Sequence, residues 1–234
     1  RISWPSLATD AEVAAFRARI DGVLPSVAGH PHHNCYLASA CAARDLRATL
    51  QFIRLVERVR RSTAYEYGIP LPTIRPRQAF VSRLSAEADD ADAQPLHADE
   101  SSVATFHYSA VLYLSTQGDD FDGGSFSFID RPAGGAEEVR ATEVAPRAGD
   151  AVCFSSGWEN MHRIMPLRSG CRYAMPMFFT TSPEAAECGG GGSDEPSSSW
   201  DSRRRAECLW RTALWCESES SFSSLSKAWP SLMS

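Results

Sequence analysis

The sequence lacks the features that mark membrane-spanning, nucleic-acid-binding and zinc-finger proteins. No apolar run reaches the roughly 20 residues that a membrane-spanning helix needs. Acidic residues outnumber basic residues by 29 to 23 and no basic stripe is present, so nucleic-acid binding has no electrostatic footprint. No two of the seven cysteines form a C-x-x-C pair, which argues against a structural zinc site. A Gly-x-Ser-x-Gly nucleophile elbow is also missing.

The size and composition of the chain indicate one domain with appendages. Its 234 residues are 43% hydrophobic, which is enough for a full core. The chain begins with arginine and shows no charged and then apolar leader, so we interpret it as a fragment or a processed form. Cys153 and Cys171 lie in apolar runs and are expected to be buried thiols. Disulfides between cysteines 35 and 41, or 208 and 216, remain open, and so does the compartment.

The order of predicted elements divides the chain into three parts. Residues 1–76 hold helical patterns at 9–20 and 40–66, which we expect to support the domain. Residues 77–182 alternate short strands with turns, a pattern typical of a sandwich or barrel. Residues 183–234 begin with a Gly/Ser-rich linker and contain one candidate helix at 200–216. The fold class is therefore predicted to be mainly β with flanking helices (α+β).

Three potential metal ligands, His97, Asp99 and His162, are the most informative feature of the sequence. Two imidazoles and one carboxylate are the protein ligands of the open non-haem Fe(II) sites that activate O2. Arg172 follows ten residues after His162, inside an apolar strand pattern where a cation needs a partner. A carboxylate-bearing co-substrate is such a partner, because guanidinium binds carboxylate through two parallel hydrogen bonds.

Side-chain alternation along the predicted strands indicates which residues share the interior with these ligands. Ser109, Val111 and Tyr113 share one face of the clearest strand, and Ile164 shares a face with the second histidine ligand. We expect these residues to line the site of a small dicarboxylate that extends from the metal to Arg172. A single β-bulge would reverse which side chains of a strand face the interior. Two other interpretations also remain open: a plain core role for Tyr113, and a buried carboxylate partner for Arg172.

Several ordered segments resemble the 2-oxoglutarate- and Fe(II)-dependent prolyl hydroxylases, in particular the prolyl 3-hydroxylase (leprecan-like) branch. The resemblance covers about residues 78–181. One departure is that the run from Phe80 to Leu84 offers no tyrosine, which many prolyl hydroxylases carry in the strand before His-x-Asp. The segments that carry the resemblance are His97-Ala98-Asp99, Tyr108–Leu114, Asp120-Phe121-Asp122-Gly123-Gly124, Phe154–Gly157, Glu159–His162 and Gly170-Cys171-Arg172.

The resemblance implies a double-stranded β-helix, that is, a cupin-like jelly roll of two sheets. It implies that His97, Asp99 and His162 bind Fe(II), and that Arg172 anchors 2-oxoglutarate with Tyr113 nearby. The expected reaction consumes O2 and 2-oxoglutarate, gives succinate and CO2, and hydroxylates a residue of a polypeptide, with proline as the first candidate. Ascorbate dependence is also expected. The resemblance allows the lumen of the endoplasmic reticulum without identifying it.

The sequence allows three alternatives to this hypothesis. In the first, the domain keeps the jelly-roll shell and serves as a catalytically inactive binding module, although the complete ligand set with Arg172 favours an enzyme. A Zn-dependent hydrolase with the same ligands would work without O2. A second metal site at the histidines of residues 30–33 is disfavoured, because the surrounding glycine and proline indicate a loop.

Overall fold

Side chains cap the first turns of the two α-helices in the described part of the chain. In the computed structural model, which describes residues 1–21, 35–36, 45–86, 94–130 and 140–182, helix α1 spans Asp10–Ile20 and helix α2 spans Leu46–Glu66. Thr9 caps α1 through a reciprocal pair of hydrogen bonds with Glu12, and Asp45 caps α2 by accepting from the Ala48 amide. The helix predicted at 9–20 is confirmed, and so is the pattern at 40–66 from residue 46 onward.

Helix α2 buries one face because its apolar residues recur at three- and four-residue steps. That face joins Phe16 of α1 and the outer face of a large β-sheet in one hydrophobic cluster. Each large apolar side chain buried there contributes roughly 1.5–3 kcal/mol. The helix residues of the cluster include Leu50, Ile53, Val56 and Val59.

The described strands form two antiparallel sheets. They are β1 (Ile2–Trp4), β2 (Cys35–Tyr36), β3 (Arg75–Ser85), β4 (Tyr108–Tyr113), β5 (Phe121–Gly123), β6 (Phe126–Asp130), β7 (Arg140–Val144), β8 (Ala151–Ser155), β9 (His162–Ile164) and β10 (Leu167–Thr180). The larger sheet has the order β1-β8-β4-β10-β3-β2, with β5 paired to one end of β10, and the smaller sheet has the order β7-β6-β9. This arrangement confirms the predicted jelly-roll class.

A second hydrophobic cluster lies between the inner faces of the two sheets, on the side of the larger sheet that faces away from the helices. It contains residues of β3, β4, β8 and β10 from the larger sheet and of β6 and β9 from the smaller one. Along β4 and β10, Tyr113 is opposite Ala174, Val111 is opposite Pro176 and Ser109 is opposite Phe178. Directly opposed residues share a face, so these side chains face the interior in rows. The β-bulge in the pairing of β10 with β3 occurs at residues 178–179, beyond the rows that contain Arg172 and Tyr113.

Cys153 and Cys171 differ in burial. Cys153 is buried as expected, and burial raises the pKa of its thiol to about 11. The expectation of burial for Cys171 is wrong: it is only partly buried, because it lies near one end of β10 at the margin of the outer cluster. In the described part of the chain, no helix is both long and apolar enough to cross a membrane. The predictions for residues 30–33, the cysteine pairs at 35/41 and 208/216, and the tail 183–234 with its helix concern side chains or segments outside the described residues.

Candidate metal centre

The backbone brings the three predicted ligands together. His97 and His162 form an antiparallel bridge, with N–H···O distances of 3.0 and 2.9 Å in the two directions. Asp99 opens a short 3-10 turn directly after His97. Its Oδ1 lies 3.3 Å from Nε2 of His97 and 3.6 Å from Nε2 of His162. Ligand atoms of all three residues therefore lie within 4.8 Å of one another, as one shared cation requires.

Carbonyl oxygens hold both imidazoles in the orientation that a metal needs. Nδ1 of His97 lies 2.7 Å from the carbonyl oxygen of Pro95, and Nδ1 of His162 lies 2.9 Å from that of Asn160. A carbonyl oxygen only accepts hydrogen bonds, so Nδ1 carries the proton in each neutral ring. Each Nε2 therefore presents its lone pair toward Asp99, which is the arrangement of a histidine ligand.

The two histidines differ in their electrostatic surroundings. Asp99 accepts a hydrogen bond from Nε2 of His97 when that nitrogen is protonated, and this raises the pKa of His97 above its ordinary value. Burial lowers the pKa of His162, whose ring lies among Phe126, Phe128 and Phe154 at centroid distances of 4.8, 6.0 and 4.9 Å. A buried carboxylate beside a neutral imidazole is costly without a positive partner. A divalent cation neutralises such a site, so the donor set fits Fe(II).

A second polar site lies on the inner face, where Arg172 and Tyr113 are each 1% exposed. Nε of Arg172 donates to the carbonyl oxygen of Gly124 at 3.1 Å. Its Nη2 and the Tyr113 hydroxyl have no hydrogen-bond partner among the residues that the structure describes. Burial lowers the pKa of Arg172 and raises the pKa of Tyr113. An unpaired guanidinium edge beside an unpaired phenol fits a carboxylate, which supports the predicted 2-oxoglutarate anchor.

Gly124 makes room for the Arg172 side chain. A Cβ atom on Gly124 would lie 3.2 Å from Cδ of Arg172 and 3.0 Å from the Phe121 ring, and its φ of +62° is one that L residues rarely adopt. The carbonyl group of the same glycine fixes Nε of the guanidinium. The sequence showed the Asp-Gly-Gly turn but gave Gly124 no role, because the side chain that it accommodates lies 48 residues away.

The other predicted pocket residues also face the interior. Val111 and Ile164 belong to the inner cluster with Tyr113, and the Ser109 hydroxyl lies 2.7 Å from that of Ser156. Their direct contact with a co-substrate stays a prediction. The alternative that Arg172 pairs with a buried carboxylate finds no support, because no ion pair of Arg172 occurs within the described ranges.

An aromatic group lies at the Ser109 end of the inner rows and was missed by sequence reasoning. Phe106 and Phe178 stack at a centroid distance of 4.3 Å and an angle of 11°, and Phe80 lies 6.2 Å from Phe178. Arg172 and Phe178 are six residues apart on β10 and are on the same side of the strand. Alternation along β10 puts Phe178 on the same face as Arg172, but the stacking depends on a loop residue, Phe106, that no local pattern positions.

Residues 86–180 match the model of the 2OG-Fe(II) oxygenase superfamily. Human 2-oxoglutarate and iron-dependent oxygenase domain-containing protein 3 is 35% identical over 132 residues, which cover 55% of this chain and 39% of the human protein. Mouse prolyl 3-hydroxylase 1 is 31% identical over 160 residues, which cover 61% of this chain and 21% of the mouse protein. The chain thus spans well under half the length of these curated relatives.

Solved structures show the same fold. A prolyl-4-hydroxylase of Pseudomonas putida superposes with a TM-score of 0.51 at 21% identity, covering 76% of this chain and 91% of that chain. The α-ketoglutarate-dependent epimerase SnoN from nogalamycin biosynthesis superposes with a TM-score of 0.58 at 17% identity, covering 84% and 85%. The sequence matches confirm the family resemblance, and the structures confirm the jelly roll.

Proposed function

We propose that this chain is a dioxygenase that hydroxylates a residue of a polypeptide, most simply proline, because residues 86–180 match the model of the 2OG-Fe(II) oxygenase superfamily and the chain is similar to prolyl 3-hydroxylase 1. The observation that carries the proposal is the joint geometry of two sites on one interior. The three ligand residues converge within 4.8 Å, and Arg172 presents an unpaired Nη2 inside the same barrel. In the reaction, 2-oxoglutarate is oxidised to succinate and CO2, and O2 supplies one oxygen atom to succinate and one to the new hydroxyl group.

Each residue of the site has a defined part. His97, Asp99 and His162 would hold Fe(II), which supplies the activation of O2 when bound. Arg172 binds the distal carboxylate of 2-oxoglutarate through its free guanidinium edge, and the Tyr113 hydroxyl donates to the same group. Ascorbate, which keeps such iron reduced, belongs to the proposal as an auxiliary reductant.

The walls of the interior keep water from the reacting groups. Phe126, Phe128 and Phe154 surround the His162 ring, and all three are at most 2% exposed. A dry site strengthens the attraction between Arg172 and a carboxylate, because the effective dielectric constant is lower than in water. The same walls restrict the His162 ring to one orientation, so its Nε2 stays directed toward the other ligands.

The aromatic group at the Ser109 end supports an apolar substrate residue. Phe178 and Phe80 are partly buried and offer faces on which a pyrrolidine ring can pack, and buried Phe106 supports Phe178 by stacking against it. Trp158 is 62% exposed and lies four residues before His162, so a large aromatic side chain is also available near the ligands. Two of the similar proteins carry prolyl hydroxylase names, which agrees with proline as the first candidate.

Mass spectrometry of proline-rich peptides tests the proposal. After incubation with Fe(II), 2-oxoglutarate, ascorbate and O2, a peptide should gain one oxygen atom, and succinate should form in equal amount. Asp99→Ala is the matched control, because it removes one ligand and leaves the barrel walls in place. A folded protein that yields neither product would contradict the proposal.

The alternatives predict different results in the same assay. A binding module would retain peptides without producing succinate, and it would show no visible charge-transfer band when Fe(II) and 2-oxoglutarate are added without O2. A Zn-dependent hydrolase would act without O2 and would ignore 2-oxoglutarate. The unpaired Arg172 guanidinium favours the oxygenase over both, since neither alternative requires a buried anion site.

A further inference from the structure

A buried asparagine, Asn160, ties the turn before β9 to the end of β8. Its side-chain amide nitrogen donates to the carbonyl oxygen of Ser155 at 3.0 Å and to the Ser155 hydroxyl at 2.9 Å. Its Oδ1 accepts from Nε of Arg1 at 2.7 Å. Both ends of the amide are therefore occupied, although the residue is only 7% exposed. A fully bonded, buried amide holds one rotamer and fixes the backbone that carries it.

The main chain of the same residue contacts a proposed metal ligand. The carbonyl oxygen of Asn160 lies 2.9 Å from Nδ1 of His162 and accepts its proton. This bond sets the tautomer, so Nε2 is the atom that faces Asp99. The direction of the imidazole thus depends on where the Asn160 carbonyl group points.

Trp158–Asn160 is a single 3-10 turn, and the Asn160 amide donates to the carbonyl oxygen of Gly157 at 3.0 Å. Turns of this kind have poorer hydrogen-bond geometry than α-helices, so this backbone bond alone gives weak support. The Ser155 hydroxyl also donates to Glu159, and the Met161 carbonyl oxygen accepts from the Ile129 amide at 2.9 Å, but neither bond is made by Asn160 itself. The two bonds from the Asn160 side chain to Ser155 connect the turn to the regular pairing of β8 with β4.

We propose that Asn160 is a positioning residue that aims the His162 imidazole at the metal, by anchoring the turn whose carbonyl group accepts Nδ1–H. This inference rests on the proposed function, in which His162 is a ligand. The device is specific to one ligand, since the corresponding acceptor for His97 is the carbonyl oxygen of Pro95, a residue whose ring already restricts its backbone. A change at Asn160 should therefore disturb one of the two histidines.

Asn160→Asp is the sharpest perturbation, because it keeps the shape of the side chain and removes the N–H donors. A carboxylate in this position cannot donate to the Ser155 carbonyl oxygen, and the Ser155 hydroxyl already donates to Glu159. We expect the variant to bind Co(II), used as the probe, 10- to 100-fold more weakly than the unchanged protein, the range typical for residues that orient metal ligands. Asn160→Ala should show the same loss, and circular dichroism should establish that each variant is folded.

Ser115→Ala is the matched control for the loss of buried hydrogen bonds. The Ser115 hydroxyl is buried and exchanges bonds with the Tyr173 backbone at 3.2 and 2.8 Å, away from the three ligands. This control should lower the melting temperature and leave Co(II) affinity unchanged. With saturating Co(II), the Asn160 variants should bind 2-oxoglutarate as the unchanged protein does, because Arg172 is not disturbed.

Nitrogen-15 NMR of the imidazole adds a readout that stability alone would not change. In the unchanged protein His162 should carry its proton on Nδ1, and the population of this tautomer should fall in Asn160→Asp. Folded Asn160 variants with undiminished Co(II) affinity would overturn the inference while the proposed function stands. If the unchanged protein itself fails to bind Co(II), the proposed function fails and this inference falls with it.

Discussion

Replacing Arg172 by methionine should weaken 2-oxoglutarate binding and, at the same time, should leave the stability of the ligand-free protein within about 2 kcal/mol of its original value. The guanidinium is 1% exposed, its Nη2 is unpaired within the described chain, and burial lowers its pKa. Methionine has a similar length and no charge, so it fills the same path through the inner core. One substitution therefore measures two quantities separately: the stability that the unpaired Nη2 costs the ligand-free protein, and the affinity that Arg172 contributes to 2-oxoglutarate binding.

The magnitudes follow from the hydrogen bonds of Arg172. A hydrogen bond to a charged group contributes about 1.5–3 kcal/mol, which corresponds to a roughly 10- to 150-fold higher Kd for 2-oxoglutarate. In the free protein, removal of an unsatisfied buried donor returns about 1–3 kcal/mol, and loss of the bond from the charged Nε to the Gly124 carbonyl oxygen costs about 1.5–3 kcal/mol. The two effects offset each other, so the free energy of unfolding should change by no more than about 2 kcal/mol in either direction.

Calorimetric titration of 2-oxoglutarate into Mn(II)-loaded protein measures the first effect without turnover, and thermal unfolding of the metal-free protein measures the second. Tyr113→Phe is the graded control, because it removes one neutral hydroxyl and should raise the Kd only about 2- to 10-fold. The reasoning is refuted if Arg172→Met still binds Mn(II) and its Kd for 2-oxoglutarate is unchanged. A loss of several kcal/mol in the free energy of unfolding would likewise refute the claim that Nη2 of Arg172 is unpaired in the free protein.

Three further predictions concern other parts of the molecule. Asp99→Ala should abolish succinate formation and reduce Co(II) affinity at least tenfold with little change in circular dichroism; undiminished turnover would remove Asp99 from the ligands. Gly124→Ala should raise the Kd for 2-oxoglutarate through contact with the Arg172 side chain, whereas Gly118→Ala, also at positive φ but with open space around it, should not; equal effects would contradict this. The pKa of Glu12 is lowered to about 2, mainly by its hydrogen bonds with Arg58, so Glu12 stabilises the fold above pH 4.5 and loses this effect as the pH falls toward 2. In Glu12→Gln the free energy of unfolding should therefore depend less on pH in this range, by about 1 kcal/mol or less for so exposed a pair. The same pH dependence of unfolding in the variant and the unchanged protein would contradict this prediction.

The metal ligands and Arg172 could be found in the sequence because their residue types are unusual in their surroundings. A charged residue in an apolar strand and a histidine pair with a carboxylate limit the chemistry before any contact is known. Alternation then placed Tyr113 and Val111 on one face, and the antiparallel pairing of β4 with β10 agrees. The distances could not be predicted, because they depend on the bridge between residues 97 and 162, which are 65 positions apart.

What the sequence did not reveal are residues that act through backbone atoms or through packing. Asn160 looked like one polar residue in a loop, and its carbonyl contact with His162 depends on the local turn. Gly124 accommodates a side chain from a distant strand. Cys171 has an apolar sequence context, yet its position near the end of β10 leaves it partly exposed. In each case the decisive quantity is a tertiary contact, which composition and periodicity do not encode.

Strand β10 shows how one segment serves stability and chemistry without conflict. Met175 and Met177 point outward into the cluster with the helices and are 0% exposed, whereas Arg172 and Ala174 point inward toward the proposed co-substrate. The two-residue period of a strand keeps these sets on opposite faces. Truncating an outward methionine to alanine therefore costs about 2–5 kcal/mol of stability, and it leaves the inner rows in register. Changing Arg172 should instead weaken binding of the ligand and change stability little, because its unpaired Nη2 contributes nothing favourable to the free fold.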